Sequence, residues 1–337
     1  MRKFRLIMLA AGLGLLAWLV MRSGPRLLAR DLLDVGWWMV ALLAIAALRN
    51  LFRAAAVRLA LGEDRRQFSL GAMYLVVMVS DAVQYVAVAG LLFGQTTKGW
   101  LLARRVSGPR AVSTVMVDLL LFYLTASLFV LGGIGLFFAS YPTSLGVREA
   151  GLVCAAVVAG AIVAGGVAFH RRWLRAGRLV GLLARWGLIR RRETIEGAGD
   201  IDTQMFDFYR RHPAAFGGIL ALDFVAHFLL AFEAMLILWL LRLGLNYRAG
   251  IVAETLTKLV GLGGLLVPGD VGLYQGGSGL ILHAMGYTVA TGVAFGIIRQ
   301  IRTILWAGIG FLALLAPGAG QLGKNGSANR GAATERQ

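Results

Sequence analysis

Cysteine is almost absent: Cys154 is the single one in 337 residues, and it lies within an apolar run. No disulfide within the chain and no cysteine metal cluster can therefore form. The four histidines, at 170, 212, 227 and 283, have no paired metal-ligand spacing, and neither a metal nor a cofactor is expected. Lysine is confined to positions 3, 98, 258 and 324, so the basic residues are nearly all arginine. Charge of any kind is scarce at 15%, whereas 58% of the residues are hydrophobic and the mean hydropathy is +0.73. A water-soluble fold of this length could not hide so much apolar surface, so the composition is that of an integral membrane protein. The net charge of +17, from 34 Lys and Arg against 17 Asp and Glu, is no sign of nucleic-acid binding. Most of the excess sits in short loops beside apolar stretches, where it orients the chain and holds anionic headgroups.

Runs long enough to cross about 30 Å of hydrocarbon as helix occupy residues 6–21, 36–51, 112–138, 150–170, 214–241 and 288–316. Arg2, Lys3 and Arg5 precede the first, and no small-residue cleavage site follows it. It reads as an uncleaved first helix with a cytosolic N-terminus. Two further apolar stretches, around 68–98 and 250–280, are rich in glycine and broken by polar residues. Arg53, Arg58, Arg65 and Arg66 before the first of these, with Lys98, Arg104, Arg105 and Arg110 after its apolar part, place both its ends in the cytosol. A segment that starts and finishes on one side is a re-entrant hairpin. Carried along the chain, the same count opens the second broken stretch to the other side and returns the last helix to the cytosol.

The expected fold is thus an all-α polytopic membrane protein with about six full transmembrane helices and two re-entrant hairpins. It forms one transmembrane domain over residues 1–316, followed by a disordered cytosolic tail, 317–337, rich in Gly, Ala, Ser and Asn. A cytosolic linker, 171–213, carries an interfacial amphipathic helix over 173–189, its arginines either anchoring the fold or recruiting anionic lipid. The acidic patch Glu193, Glu196, Asp200 and Asp202 reads as a solvated turn. An offset of 178 residues sets Gly94 on Gly272, which is either an inverted repeat of the transporter kind or a coincidence of composition.

Non-helical backbone at membrane depth survives only where protein buries it or a wet cavity borders it, so the broken stretches mark the functional region. The second contains Pro268, Gly269, Asp270, Gly272 and Gln275 in a turn whose following helix would offer free amides to an anion, with Asp270 as a cap for that arm. The first contains Gly90, Gly94, Gln95, Thr96, Thr97 and Lys98, a set of donors and one cation suited to a phosphate. The G-x-x-x-G spacing on its own serves helix packing as well.

These two turns resemble the motifs of the flippase-like transmembrane family, also called the lysylphosphatidylglycerol synthase transmembrane region. Its second motif, P-G-G-x-G-x-x-E, is matched by Pro268, Gly269, Gly272 and Gln275, with Asp270 at its second glycine. Its first, P-x-x-x-G-E-x-x-R, is matched by Gly94, Gln95 and Lys98, with Gly90 in place of proline. The resemblance runs from Trp37 to Ala316. It implies a domain that moves or positions a lipid across the cytoplasmic membrane. Glutamine stands at both motif glutamates, Gln95 and Gln275, so a role of those carboxylates in binding protons or a cationic headgroup would be lost here. The aminoacyl transfer of two-part synthases resides in a separate soluble domain, for which no residues remain; no enzymatic activity is expected.

Ionisable residues within spans need partners or a cavity. Asp118, Arg299 and Arg302 are such residues, and the 178-residue offset carries Asp118 to position 296, one turn from Arg299. The expected arrangement pairs Asp118 with Arg299 or Arg302; the other reading gives the arginines to a headgroup. Glu254 and Lys258 have the favoured order for an intrahelical pair. Asp223 and His227 share a helical face, as a locally satisfied pair or a proton path, with Glu233 about 80° round from Asp223. Asp81 and Gln84 should face the cavity of the first hairpin.

The leading functional reading is an inner-membrane lipid translocase in which Gln95, Thr96, Thr97, Lys98, Pro268, Gly269, Gly272, Gln275, Arg299 and Arg302 hold an anionic phospholipid or lipid-linked phosphate. Asp118, Asp223, His227, Glu254 and Lys258 serve structure or coupling. Alternatives are a membrane enzyme acting on a lipid headgroup through Asp223 and His227 or Asp81, and a non-transporting scaffold for lipid-biosynthesis enzymes.

Overall fold

The computed structural model describes residues 35–87, 89–170, 198–263 and 273–313, with Met21 and Leu33 besides. Its regular elements are all helical. The helices are α1 (Trp38–Ala60), α2 (Leu70–Val86), α3 (Gly90–Leu102), α4 (Gly108–Ser140), α5 (Leu145–His170), α6 (Ala198–Arg211), α7 (Pro213–Leu240), α8 (Tyr247–Gly263), α9 (Leu273–Ala284) and α10 (Val289–Leu312). A 3-10 turn, Gly62–Gln67, joins α1 to α2. Five of these, α1, α4, α5, α7 and α10, are long and apolar enough to cross a membrane. They answer five of the six expected spans; the sixth, 6–21, lies outside the described residues except for Met21, and the amphipathic segment 173–189 and the tail lie outside them too.

Helix boundaries follow local chemistry. Ser69, Ser107 and Thr288 cap α2, α4 and α10, each side-chain oxygen accepting from an amide three residues on, which satisfies a donor the helix leaves free. Asn246 does the same for α8 by accepting from the Ala249 amide. Pro213 occupies the first turn of α7, where a missing amide costs nothing. One boundary departs from the sequence expectation. The second span was placed at 36–51, but nothing in the chain breaks the helix until Gly62, which adopts φ +58, so α1 continues to Ala60 and takes Arg53 with it. A second departure concerns the acidic patch: Asp200 and Asp202 begin α6 rather than a turn, while Glu193 and Glu196 lie outside the described residues. Ile201, Met205 and Phe208 of α6 are buried against Ala56, Val117, Leu121 and Ile219, and that apolar stripe is what makes the segment helical.

The two broken stretches are pairs of short helices. In the first, α2 and α3 pack on each other, and the chain reverses at Ala89, which takes the left-handed conformation at φ 54. Gly90 makes the reversal possible: a Cβ there would lie 1.8 Å from the Gln84 carbonyl oxygen. In the second, α8 and α9 pack together, with Gly277 of α9 against Val260 of α8. Phe68 and Leu102, at the outer ends of the first pair, share a cluster with Leu61, Ala111 and Phe311. Ala249 and Leu282, at the outer ends of the second, share another with Met39, Phe137 and Leu238. α1 and α7 pack side by side, α1 also on α2 of the first pair and α7 on α8 of the second.

Gly90→Ala is therefore expected to force the first pair apart and to lower the thermal unfolding temperature of the detergent-solubilised protein by several degrees. Gly132→Ala meets no atom within 4 Å and replaces glycine in mid-helix, which favours the helix by about 1 kcal/mol. It should leave that temperature unchanged or raise it.

Candidate functional site

Every carboxylate placed deep in the bundle must be neutralised, because hydrocarbon offers no hydration to replace. Two clusters accomplish this. In the first, Arg53 of α1 reaches Asp118 of α4 at 3.0 Å and Asp223 of α7 at 2.5 Å, and Lys98 of α3 donates to Asp118 at 2.8 Å. Asp118 and Asp223 are fully buried. The Arg53 guanidinium also lies over the Phe122 ring, 4.1 Å from its centroid. Two cations and two carboxylates close on one another, tying the first helix pair to three spans.

The second cluster belongs to the other pair. Arg299 of α10 reaches Glu254 of α8 at 2.6 Å and Glu233 of α7 at 3.5 Å, and donates to the Tyr274 hydroxyl of α9 at 2.8 Å. Arg302 donates to a single Glu233 oxygen from Nε at 3.1 Å and from Nη2 at 2.7 Å. Lys258 pairs with Glu254 one turn before it, as the spacing predicts.

Beside the second cluster lies a cavity of about 480 Å³. Tyr85, Ala87, Gly90 and Leu91 line it from the end of the first pair, and Glu254, Lys258, Gly261 and Tyr274 from the second. Arg49 of α1, His227 of α7, and Arg299, Arg302 and Thr303 of α10 complete its polar wall, while Phe122, Val130, Leu230 and Trp306 make it partly apolar. Asp81 and Gln84 face it, as the sequence led us to expect. Among the described residues no three His, Cys, Asp or Glu are placed to hold a metal ion.

A model of the family described as Lysylphosphatidylglycerol synthase TM region matches residues 5–310. The chain belongs to this family. No curated protein and no solved structure gave a match.

Of the residues bearing the family motifs, Gln95 donates from Nε2 to Gln84 Oε1 at 3.4 Å, and Gln275 donates to Gln300. Amide pairs thus stand where the motifs have carboxylates. Thr96 returns its hydroxyl to the Leu92 carbonyl of its own helix, and Thr97 is half-buried on the same helix. Lys98 is buried on Asp118 and does not line the cavity. Pro268, Gly269, Asp270 and Gly272 lie outside the described residues. Asp223 and His227 do not pair with each other: Asp223 is held by Arg53, and His227 Nε2 lies 3.3 Å from the Thr125 hydroxyl.

The expected pairing of Asp118 with Arg299 or Arg302 is overturned. Asp118 faces Arg53 and Lys98, since α4 packs on α1, α3, α7 and α8, whereas α10 packs on α1, α2, α7 and α9. Arg49 and Arg53 were missed as site residues because Arg53 was counted among loop charges. The signal for both was the unbroken helical run through Leu51 to Leu61, which carries 49 and 53 on one face at i, i+4 spacing. Glu233 was noticed only for its angle from Asp223, yet it binds both arginines of α10.

Breaking a buried charge pair on one side leaves an uncompensated charge and costs about 3–5 kcal/mol. Asp118→Lys should therefore abolish the monodisperse protein peak after detergent extraction, and adding Lys98→Asp should restore part of it. Adding Arg299→Asp instead should restore nothing; rescue by that second change would contradict the observed pairing.

Proposed function

We propose that this chain is a lipid translocase of the cytoplasmic membrane that holds an anionic headgroup, of a phospholipid or a lipid-linked phosphate, in the cavity between its two helix pairs. The observation that carries the reading is the position of that cavity, where the inner ends of both pairs meet beside Arg49, Lys258, Arg299 and Arg302. The two pairs act as re-entrant hairpins. The outer ends of α2 and α3 share one apolar cluster and those of α8 and α9 another, which supports a reading in which the hairpins open to opposite faces of the membrane. A span, a helix pair and a span recur in that order as α1 to α4 and as α7 to α10, the pattern of an inverted repeat.

Arg58, Arg65, Arg66, Arg104, Arg105 and Arg110 crowd the outer end of the first hairpin, which supports a cytosolic position for that end under the positive-inside rule. Exchange of access between the two hairpins would then carry a headgroup from one leaflet to the other while its acyl chains stay in the bilayer. The amide pairs at Gln95 and Gln275 favour an anionic cargo, because neither motif presents a carboxylate to a cationic headgroup. Acid–base chemistry on a headgroup is disfavoured by the engagement of Asp223 with Arg53 and of His227 with Thr125.

Purified protein in proteoliposomes should move headgroup-labelled phosphatidylglycerol between leaflets. Ala126→Trp, which fills the cavity from α4 without removing a charge, should abolish the movement while keeping the wild-type elution volume. A wild type that moves neither phosphatidylglycerol nor phosphatidylethanolamine, or an Ala126→Trp protein as fast as wild type, would overturn the proposal.

A further inference from the structure

The cavity has two unlike sides. Arg49, Arg299 and Arg302 line it from α1 and α10. Across from them its wall is Leu91 of α3, Tyr123 and Ser127 of α4, Val158 of α5 and Leu259 of α8, with no charged side chain in that set. On α4 the lining turns from the face of Phe122, Ala126 and Val130, spaced at i, i+4 and i+8, to the adjoining face of Tyr123 and Ser127. Tyr123 is 37% exposed on the outside of the bundle and lines the cavity as well. The cavity thus reaches the lipid-facing surface beside α4.

Toward the outer end of the first helix pair the cavity is closed. Four of the helices that line it carry a member of the first charge cluster further in that direction. Arg53 follows Arg49 by one turn on α1, Asp118 precedes Phe122 by one turn on α4, Asp223 precedes His227 by one turn on α7, and Lys98 follows Leu91 by two turns on α3. None of these four charged groups lines the cavity, and the Arg53 guanidinium lies over the Phe122 ring. They form a floor of paired charges. The side wall is looser: α5 packs on α4 near its start, where a Cβ on Gly151 would come within 2.4 Å of the Phe138 ring, whereas Gly160, Gly165 and Gly166 further along have no atom of the described residues within 4 Å.

Resting on the translocase reading, we propose that the slot between α4 and α5 is the binding site for the acyl chains of the same lipid, entered sideways from the bilayer, with α5 as its movable wall. An occupant with a polar head at one end and hydrocarbon at the other matches both sides of the cavity. A free anion would leave the outer side as water against apolar wall, which is unfavourable. The slot holds its ligand by contact and shape, since hydrocarbon offers nothing to hydrogen-bond. Val158 guards the slot from α5, and Ser127 and Val130 form its base on α4.

The test uses the full chain in proteoliposomes with phosphatidylglycerol that carries a photoreactive diazirine in one acyl chain, translocation being assayed on the same preparations. Irradiation of the wild type should attach the lipid to Ser127 and Val130, and also to Leu128, which is 43% exposed and outside the cavity lining. Val158→Trp, by overfilling the slot, should lower the labelling of Ser127 and Val130 and the rate of translocation at least about ten-fold while Leu128 is labelled as before. Val157→Trp, on the next residue of α5 but 66% exposed and outside the lining, should stay within about two-fold of wild type in both. Should Val158→Trp fail to elute as the wild type does, Val158→Phe replaces it. Translocation by a wild type that leaves Ser127 and Val130 unlabelled, or by a Val158→Trp protein labelled and active as the wild type, would overturn this inference and leave the translocase reading standing. Labelling at Ser127 and Val130 that Val158→Trp removes, in a wild type that moves no lipid, would keep the acyl site and overturn that reading.

Discussion

Charge at membrane depth governs this molecule. In water a lone Asp118 or Glu233 would be solvated at little cost, but inside a bundle sized to span hydrocarbon each must find a cation from another helix. That requirement fixes which helices are neighbours. α7 supplies Asp223 to Arg53 and, two to three turns on, Glu233 to Arg299 and Arg302. Among the described residues it is the one span with a carboxylate in each cluster, so the two clusters cannot be parted without exposing charge on both sides.

The helix pairs follow from that frame. Short helices such as α3 and α9 are not long enough to cross the bilayer, yet their free ends carry amides and carbonyls that lipid cannot satisfy. Bringing the inner ends together around a polar cavity gives those ends a tolerable place. Small residues make the close approach possible, Gly90 against the Gln84 carbonyl and Gly292 against that of Ser278. The cavity is thus a consequence of how the backbone is accommodated, and its cations are what make it the candidate site.

The architecture was legible where it rests on composition and periodicity. Five spans, the two broken stretches and the Glu254 and Lys258 pair could be read from apolar run length, glycine content and i, i+4 spacing. The pairing of Asp118 could not. Sequence shows that an acid in a span needs a partner but not which helix faces it, and the repeat offset pointed to α10, whose arginines are already held by Glu233 and Glu254. Arg53 was hidden for a different reason: an arginine near the end of an apolar run looks like a loop charge, and only the lack of any helix breaker before Gly62 says otherwise. The amide pairs of Gln95 and Gln275 also needed three dimensions, because Gln300 is distant in sequence and carries no motif.

The central claim is that the two helix pairs open to opposite faces of the membrane and meet at one cavity. Accessibility of single cysteines in intact cells, in a Cys154→Ser background, tests it most directly. Cysteines at Leu245 and Val289 should react with a membrane-impermeant maleimide added outside, whereas those at Gln67 and Ser107 should react only after the membrane is opened. Labelling of all four from the same side would contradict the account.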